Sequence, residues 1–352
     1  MKRRIRLTPV GHYFLGGERG FGFDSELKRQ MSDSYFISSL KIPSQTTLFG
    51  ALRYIIGVKD EQLRENSCQL IGKNSYRIND TKFSYGIIES ISPVYLYKEH
   101  DSEAGEYYIR TPFDHKMSEY KYTPLELLEK EIKVINYPSK ERNKTYPKNY
   151  VAKDGISHSY MSLTTKAIEK ENDIFTPSVE VVSKKDKGNN AGKDCFAKKE
   201  YMRLKDGWSF VFFADLSGDK DLEFNKSVIL GKDSSVFTVK IDETEEPDVI
   251  SVFQDRPANF HYCQSPIYIT SDVSNIVEES KFSIIENESQ RIFMTENQRL
   301  RPAYDSPLLQ LISPGSIFYT DTDSDNLKKQ IESNGQAVNA GFNRIIKGGS
   351  KK

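Results

Sequence analysis

The stretch SQTTLFGALRYIIG, residues 44–57, decides how the chain around it is read. Leu48, Ala51, Leu52, Ile55 and Ile56 recur at the spacing that places them on one apolar helical stripe. Ser44 stands where an N-cap belongs, and Gly57 where a helix ends. Thr46, Gly50 and Arg53 fall on another side of the same helix. Upstream, residues 4–15 read as a strand, because Ile5 and Leu7 alternate with Arg4, Arg6 and Thr8. Pro9 suggests a sheet edge or a bulge. Between strand and helix lies YFLGGERGFGFD, residues 13–24, with four glycines and Arg19. A structural turn accounts for the glycines, and so does a backbone kept bare for a phosphate or a base. Strand, glycine loop and helix form one unit, whose helix N-terminus is an available anion site.

Further along, residues 80–112 read as a strand pair joined by a polar turn. From 114 to about 200 Lys, Glu, Tyr and Asn dominate, and this region reads as an insertion with short helices, PLELLEKEI among them. Residues 183–205 hold seven Lys and one Arg against two Asp and one Glu, a local balance of +5. EYMRLKDGWSFVFFADL then reads as strands about an Asp206-Gly207 turn, and SVILGKDSSVFTVKI as a second strand pair. The tail reads strand, helix (DNLKKQIES), strand (AVNAGFNRIIKGG). Few helices among many strands indicate an α+β protein.

Composition narrows the function. Twenty Phe, twenty Tyr and one Trp in 352 residues supply a core, while 50 basic residues balance 50 acidic ones. Net neutrality disfavours a free-standing nucleic-acid binder but leaves room for local basic strips. No leader is expected, since Pro, His and Gly interrupt the residues after MKRRIR. No run approaches the roughly 20 apolar residues of a membrane span. A cytoplasmic location is the expectation. Cys68, Cys195 and Cys263 are far apart and form no CxxC pair, which disfavours disulfide and zinc frameworks.

Chemical motifs are weak. GGERGFG matches neither GxGxxG nor GxxxxGK[ST]. Asp321, Asp323, Asp325 and Glu332 fit an EF-hand frame at four positions, but Asn326 replaces its glycine; helix capping explains the same residues. The five histidines show no paired spacing. His12 could place a general base beside Tyr13, but a packed or surface histidine is the better account of it. The acidic run DETEEPD, 242–248, is a solvated loop or a docking surface for a basic partner. KKEYMRLKDGW (198–208) and GFNRIIKGGSKK (341–352) interleave cations with rings, a pattern that suits single-stranded RNA and also a plain solvated strand face.

Taken in order, LTPVGHYFLGGERGFG, SYFISSLKIPSQTTLFGALRYIIG, VEVVSKKDKGNNAGKDCFAKKEYMRLKDGWSF, VILGKDSSVF and NAGFNRIIKGG resemble the subunit-three family of type III-B CRISPR Cmr complexes. These are RAMP-superfamily proteins of the Cas-five group. The resemblance touches both ends and residues 179–237. It implies two ferredoxin-like (RRM-like) domains with an inserted β-hairpin or thumb and a helical insertion. They are placed at residues 1–200, with the insertion at about 114–200, and 201–352, with a glycine-rich loop. It implies a non-catalytic RNA-binding subunit without cofactor or metal. Such a subunit holds the 5′ tag of the CRISPR RNA and contacts the large polymerase-type subunit and the first backbone subunit. By position, the RNA-facing residues are Gly16, Gly17, Arg19, Gly20 and Gly22; Ser44, Gln45, Thr46 and Thr47; Lys184, Lys185, Lys193, Lys198, Lys199, Tyr201 and Arg203; and Gly341, Asn343, Arg344 and Lys347, to which Arg53 is added as a cation suited to a phosphate. Alanine at Arg19 or Arg53 is expected to weaken guide-RNA retention without unfolding. The alternatives are a metal-independent repeat-processing endoribonuclease using His12, Tyr13 and Lys28, and a protein scaffold that never touches RNA.

Overall fold

A computed structural model describes residues 2–348 except 17–18, 25–28, 73–82, 101–104, 129, 131, 137–139, 149–154, 184–195, 219–223, 232, 257–258, 269–279, 292–307 and 321–324. The fold is α+β and mostly strand. Its centre is a nine-stranded antiparallel sheet. From one edge the strands run Ile168–Lys170, Ser159–Ser162, Glu106–Arg110, Tyr95–Lys98, Trp208–Leu216, Lys2–Pro9, Val236–Glu243 and Phe224–Ile229; Ile88–Ile91 also pairs with Trp208–Leu216. Strands from both sides of residue 200 therefore share this sheet.

Both faces of the sheet are covered. Ile5, Leu7, Phe210, Phe212, Phe237 and Val239 point to one side, where helix Gln45–Lys59 packs its Leu48, Leu52, Ile55 and Ile56. Val211, Phe213 and Tyr95 point to the other, against Phe253, Phe260, Tyr262 and Ile317. Strand Trp208–Leu216 is accordingly buried over its first seven residues, as expected of a strand with both faces covered. The second layer is a four-stranded sheet in the order Phe282–Ile284, Ile317–Tyr319, Phe260–Cys263, Ile345–Gly348. A separate four-stranded sheet runs Phe175–Ser183, Phe196–Leu204, Arg29–Ile37, Arg19–Asp24.

Several sequence expectations are corrected. Residues 19–24 of the glycine stretch form a strand paired with Arg29–Ile37, so Gly20 lies in a ladder and Gly22 at the register break between Phe21 and Phe23. The first strand is central, and Pro9 is tolerated because it is the last residue of the strand. The long helix runs through Gly57 to Lys59. It ends at Asp60, whose N–H bonds to Ile56 O while its side chain caps Glu61–Glu65. Gly57 instead admits Leu70, which would lie 3.2 Å from an added Cβ. Strands Phe196–Leu204 and Trp208–Leu216 do not pair with each other, so Asp206-Gly207 turns the chain from one sheet into another. The start of PLELLEKEI, residues 124–128, is not helical: Leu125 N–H bonds to Asp114 O and Leu127 bridges Pro147. Residues 335–339 are helical because the Asn334 side chain accepts from Ala337 N–H. The expected pair at 224–243 and helix Asp325–Glu332 are present.

Candidate nucleic-acid interface

The start of the long helix is a meeting point. Ser44 caps it, its Oγ accepting from Thr47 N–H at 3.3 Å and touching the hydroxyls of Thr46 and Thr47. The first-turn N–H groups of Gln45 and Thr46 have no intrahelical acceptor, as in any α-helix. The amino-terminal segment lies beside this turn: Tyr13 OH donates to Lys41 O at 2.6 Å, and Leu15 N–H donates to Ser39 Oγ at 3.0 Å. On another side is Gly341, where an added Cβ would lie 2.6 Å from Gln45 Oε1 and 2.9 Å from Ser92 O. The basic strand Phe196–Leu204 joins through Phe14, whose ring carries the Lys199 ammonium at 3.8 Å and packs edge-on against Tyr201. The amino-terminal segment and Gly341 thus meet residues 39–47, and the basic strand packs on the far side of the amino-terminal segment.

The individual side chains divide differently from the expectation. Lys198 and Arg203 are exposed. Gly16 adopts φ +69° with open space beside it. Lys199 and Tyr201 both contact the Asp233 carboxylate, so the charge of Lys199 is compensated. Arg53 is a correction: it is buried, donates to Ile71 O at 2.7 Å and stacks on Phe49 with Cζ 4.6 Å from the ring centroid. Burial pushes its guanidinium down to about 10, still charged at neutral pH. Arg53→Met is therefore expected to lower unfolding free energy by about 2 kcal/mol, from the lost charged hydrogen bond. A urea titration checks it. Asn343 is likewise internal, its amide bonded to Tyr268 N–H, Tyr268 O and Ile331 O. Gly341 and Gln45 are buried packing partners. Arg344 pairs through its backbone with Gln264 and Ser265, and Lys347 lies in the strand opposite His261. Arg19 is in its strand. Gly17, Lys28, Lys184, Lys185 and Lys193 lie outside the described residues.

Tyr13, the acid–base candidate beside His12, is fully buried against Phe210 and Phe237, and its hydroxyl is committed to Lys41 O. That placement removes it from a reacting substrate. Among the described residues no group of His, Cys, Asp and Glu is arranged to hold a metal, and no helix is long and apolar enough to cross a membrane. Cys68 is exposed and Cys263 buried.

A pocket of about 370 Å³ opens at the same helix start. Its walls include Leu40, Ile42, Leu96, Ile109 and Pro266; its polar groups include Lys41, Gln45, Arg110, Gln264, Glu286 and Glu288. Arg110 donates to Glu171 Oε1 at 2.6 Å, contacts His158 and lies over the Tyr160 ring; Lys41 bonds the other Glu171 oxygen. Burial alone raises the Glu171 carboxyl, but Arg110 and Lys41 outweigh it and hold it below the ordinary range. Sequence reasoning missed Lys41, Arg110, Glu286 and Glu288. They come from three separate segments, about 40, 110 and 287, and nothing near any one of them announces the other two.

Residues 5–256 match the CRISPR-associated protein family Cas_Cmr3. The chain belongs to this family. No curated protein matches the sequence. The Cmr3-family chain is also similar in fold to a chain in a cryo-EM structure of the type III-B Cmr-beta bound to cognate target RNA. The TM-score is 0.54 at 14% identity, over 97% of this chain and 96% of that one. A second likeness is to a chain of Cmr-beta bound to cognate target RNA and AMPPnP, with TM-score 0.50 at 13% identity, over 97% and 95%.

Proposed function

We propose that this protein is a non-catalytic RNA-binding subunit of a type III-B Cmr effector complex. In this reading it holds the 5′ tag of the CRISPR RNA and bridges the large polymerase-type subunit to the backbone. The observation that carries the reading is the convergence on one helix start. The amino-terminal segment and Gly341 abut residues 39–47, the basic strand joins them through Tyr13 and Phe14, and the first-turn helix N–H groups there lie beside a pocket. Single-stranded RNA needs that combination: amides and cations for phosphates, a cavity for an unstacked base. Family membership and the fold likeness to RNA-bound Cmr-beta chains support it. The fold reading extends in the same way to two ferredoxin-like units divided near residue 200, with the long sheet running across the division. Net neutrality suits a subunit that shares its RNA with neighbours.

The test is guide-RNA occupancy of a purified, reconstituted complex. Lys198→Glu with Arg203→Glu, both on exposed side chains, is expected to lower occupancy several-fold while the protein keeps its unfolding midpoint. Arg19→Ala is expected to act in the same direction. Unchanged occupancy, together with no crosslinks from RNA to residues 13–22, 39–47 or 196–204, supports a pure scaffold and overturns the proposal. Site-specific cleavage of repeat RNA by the isolated chain, lost in His12→Ala, overturns its non-catalytic part.

A further inference from the structure

Strand Phe175–Ser183 forms one edge of the separate four-stranded sheet, and it lacks most of the features that shield an edge. It pairs with Phe196–Leu204 in one unbroken register, from Phe175 opposite Leu204 to Ser183 opposite Phe196. On its other side it makes no backbone hydrogen bond among the described residues. Proteins protect such edges with short strands, bulges, lysines or proline. Here Pro177 blocks only the start, and residues 178–183, SVEVVS, carry a single charge, Glu180.

The side chains alternate as in a strand with one face covered. At the root of the pair, Phe175 and Leu204 are buried in the core. Further out the same face continues as Val179, 54% exposed, and Val181, 65% exposed, with Phe36 beyond Lys198 on the next strand. An apolar face that runs past its core, beside an open row of backbone N–H and C=O groups, is suited to receive a further strand.

Charge narrows the occupant. Glu180 is exposed, and Lys199 opposite it is held by Asp233 and lies over the Phe14 ring. In a symmetric pairing of two copies that matches valine to valine, Glu180 faces Glu180, and like charges directly opposite destabilise a ladder. A phosphate chain is disfavoured by the same carboxylate and by Glu200, opposite Val179. We propose that this edge takes an extended strand of a neighbouring protein subunit, with apolar residues against Val179 and Val181 and a Lys or Arg between them facing Glu180. The inference does not rest on the RNA-binding reading, since its partner is a protein.

The test is amide hydrogen exchange of residues 178–183 in the isolated chain and in the reconstituted type III-B complex. Every other amide there points away from Phe196–Leu204. These outward amides are expected to exchange at least about 10-fold more slowly in the complex. Val179→Lys with Val181→Glu charges the edge yet keeps the hairpin, since the substituted side chains face Glu200 and Lys198. That double variant is expected to keep its urea midpoint as a free chain, to lose the protection, and to compete about 10-fold less well with wild type for a place in the complex. Glu180→Gln, which removes only the charge, is expected to compete about 3-fold less well, with the deficit shrinking at high salt. Equal exchange in the free and assembled chain, or competition by the double variant at the wild-type level, overturns the proposal. Where the midpoint of the double variant falls, Glu180→Gln decides, and its competition at the wild-type level overturns the proposal. Protection that vanishes on ribonuclease treatment means that the edge holds RNA. Protection already present in a free chain that dimerises means that it holds a second copy. Either result makes the assignment to a partner's strand wrong.

Discussion

Arg256→Ala is expected to lower the unfolding free energy by about 3–5 kcal/mol, because it strands a buried carboxylate. Asp114 is 0% exposed and Arg256 is nearly so; their N–O distance is 2.6 Å. Two tyrosines complete the cluster. Arg256 donates to Tyr122 OH at 2.7 Å and to Tyr319 OH at 2.9 Å, while both hydroxyls donate to Asp114. The guanidinium also lies 3.6 Å from the Phe260 ring centroid. These residues come from the region after residue 113, the turn after Ile250–Phe253 and the strand Ile317–Tyr319, so one ion pair fastens three segments beneath the central sheet. Replacing both charges with apolar groups, Asp114→Leu with Arg256→Met, is expected to cost less than Arg256→Ala alone, since neither partner is left unpaired. Urea midpoints of the two variants and wild type give the comparison, with unchanged m-values required for it to be read as stability.

That cluster also marks where sequence reading stopped. The helix at residues 45–59 and its Ser44 cap were legible because helical periodicity and capping are local properties. The hairpin at 224–243 was legible for the same reason, as alternation on either side of a glycine turn. Asp114 and Arg256 lie 142 positions apart, and nothing near either residue announces the other. The same holds for Arg53: its place off the apolar stripe of the helix led to an expected RNA contact. Helices Glu61–Glu65 and Ser67–Ile71 follow the long helix, and the Ile71 carbonyl takes the Arg53 guanidinium. At the candidate interface the helix start was visible, whereas its pocket was not. Lys41, Arg110, Glu171 and Glu288 meet only because the sheet brings strand Glu106–Arg110 beside the helix start and the small sheet of Asn287–Arg291 opposite. Long-range pairing of this kind leaves no periodic trace in a single chain. The glycine stretch shows the converse error. Its composition suggested a bare loop, yet Phe21 and Phe23 alternate with Gly20 and Gly22 at the period of a strand, and a strand is what forms.

Gly341→Val is expected to be nearly as costly as Arg256→Ala, and to act on the candidate interface from the far end of the chain. Gly341 follows helix Gly335–Asn339 with φ +85°, a conformation a β-branched residue adopts only under strain. An added Cβ would also meet the Ser92 carbonyl oxygen at 2.9 Å and the Gln45 amide at 2.6 Å. Ser92 cannot retreat, since its N–H bonds Phe213 O and its Oγ accepts from Phe213 N–H inside the sheet. Gln45 is the side that moves, and it is the first residue of the helix. Left-handed strain and overpacking together are expected to lower stability by about 2–4 kcal/mol. Because Gln45 must shift, the helix start should be disturbed even in molecules that remain folded. Hydrogen exchange of the Thr47 and Leu48 amides, both bonded to Ser44, is expected to quicken selectively in Gly341→Val, while the amides of strand Trp208–Leu216 keep their protection. Gly341→Ala carries the same φ and the same Cβ contacts, so it is expected to lose most of the stability that Val loses, and the difference between the two variants measures the crowding by the two γ-methyls.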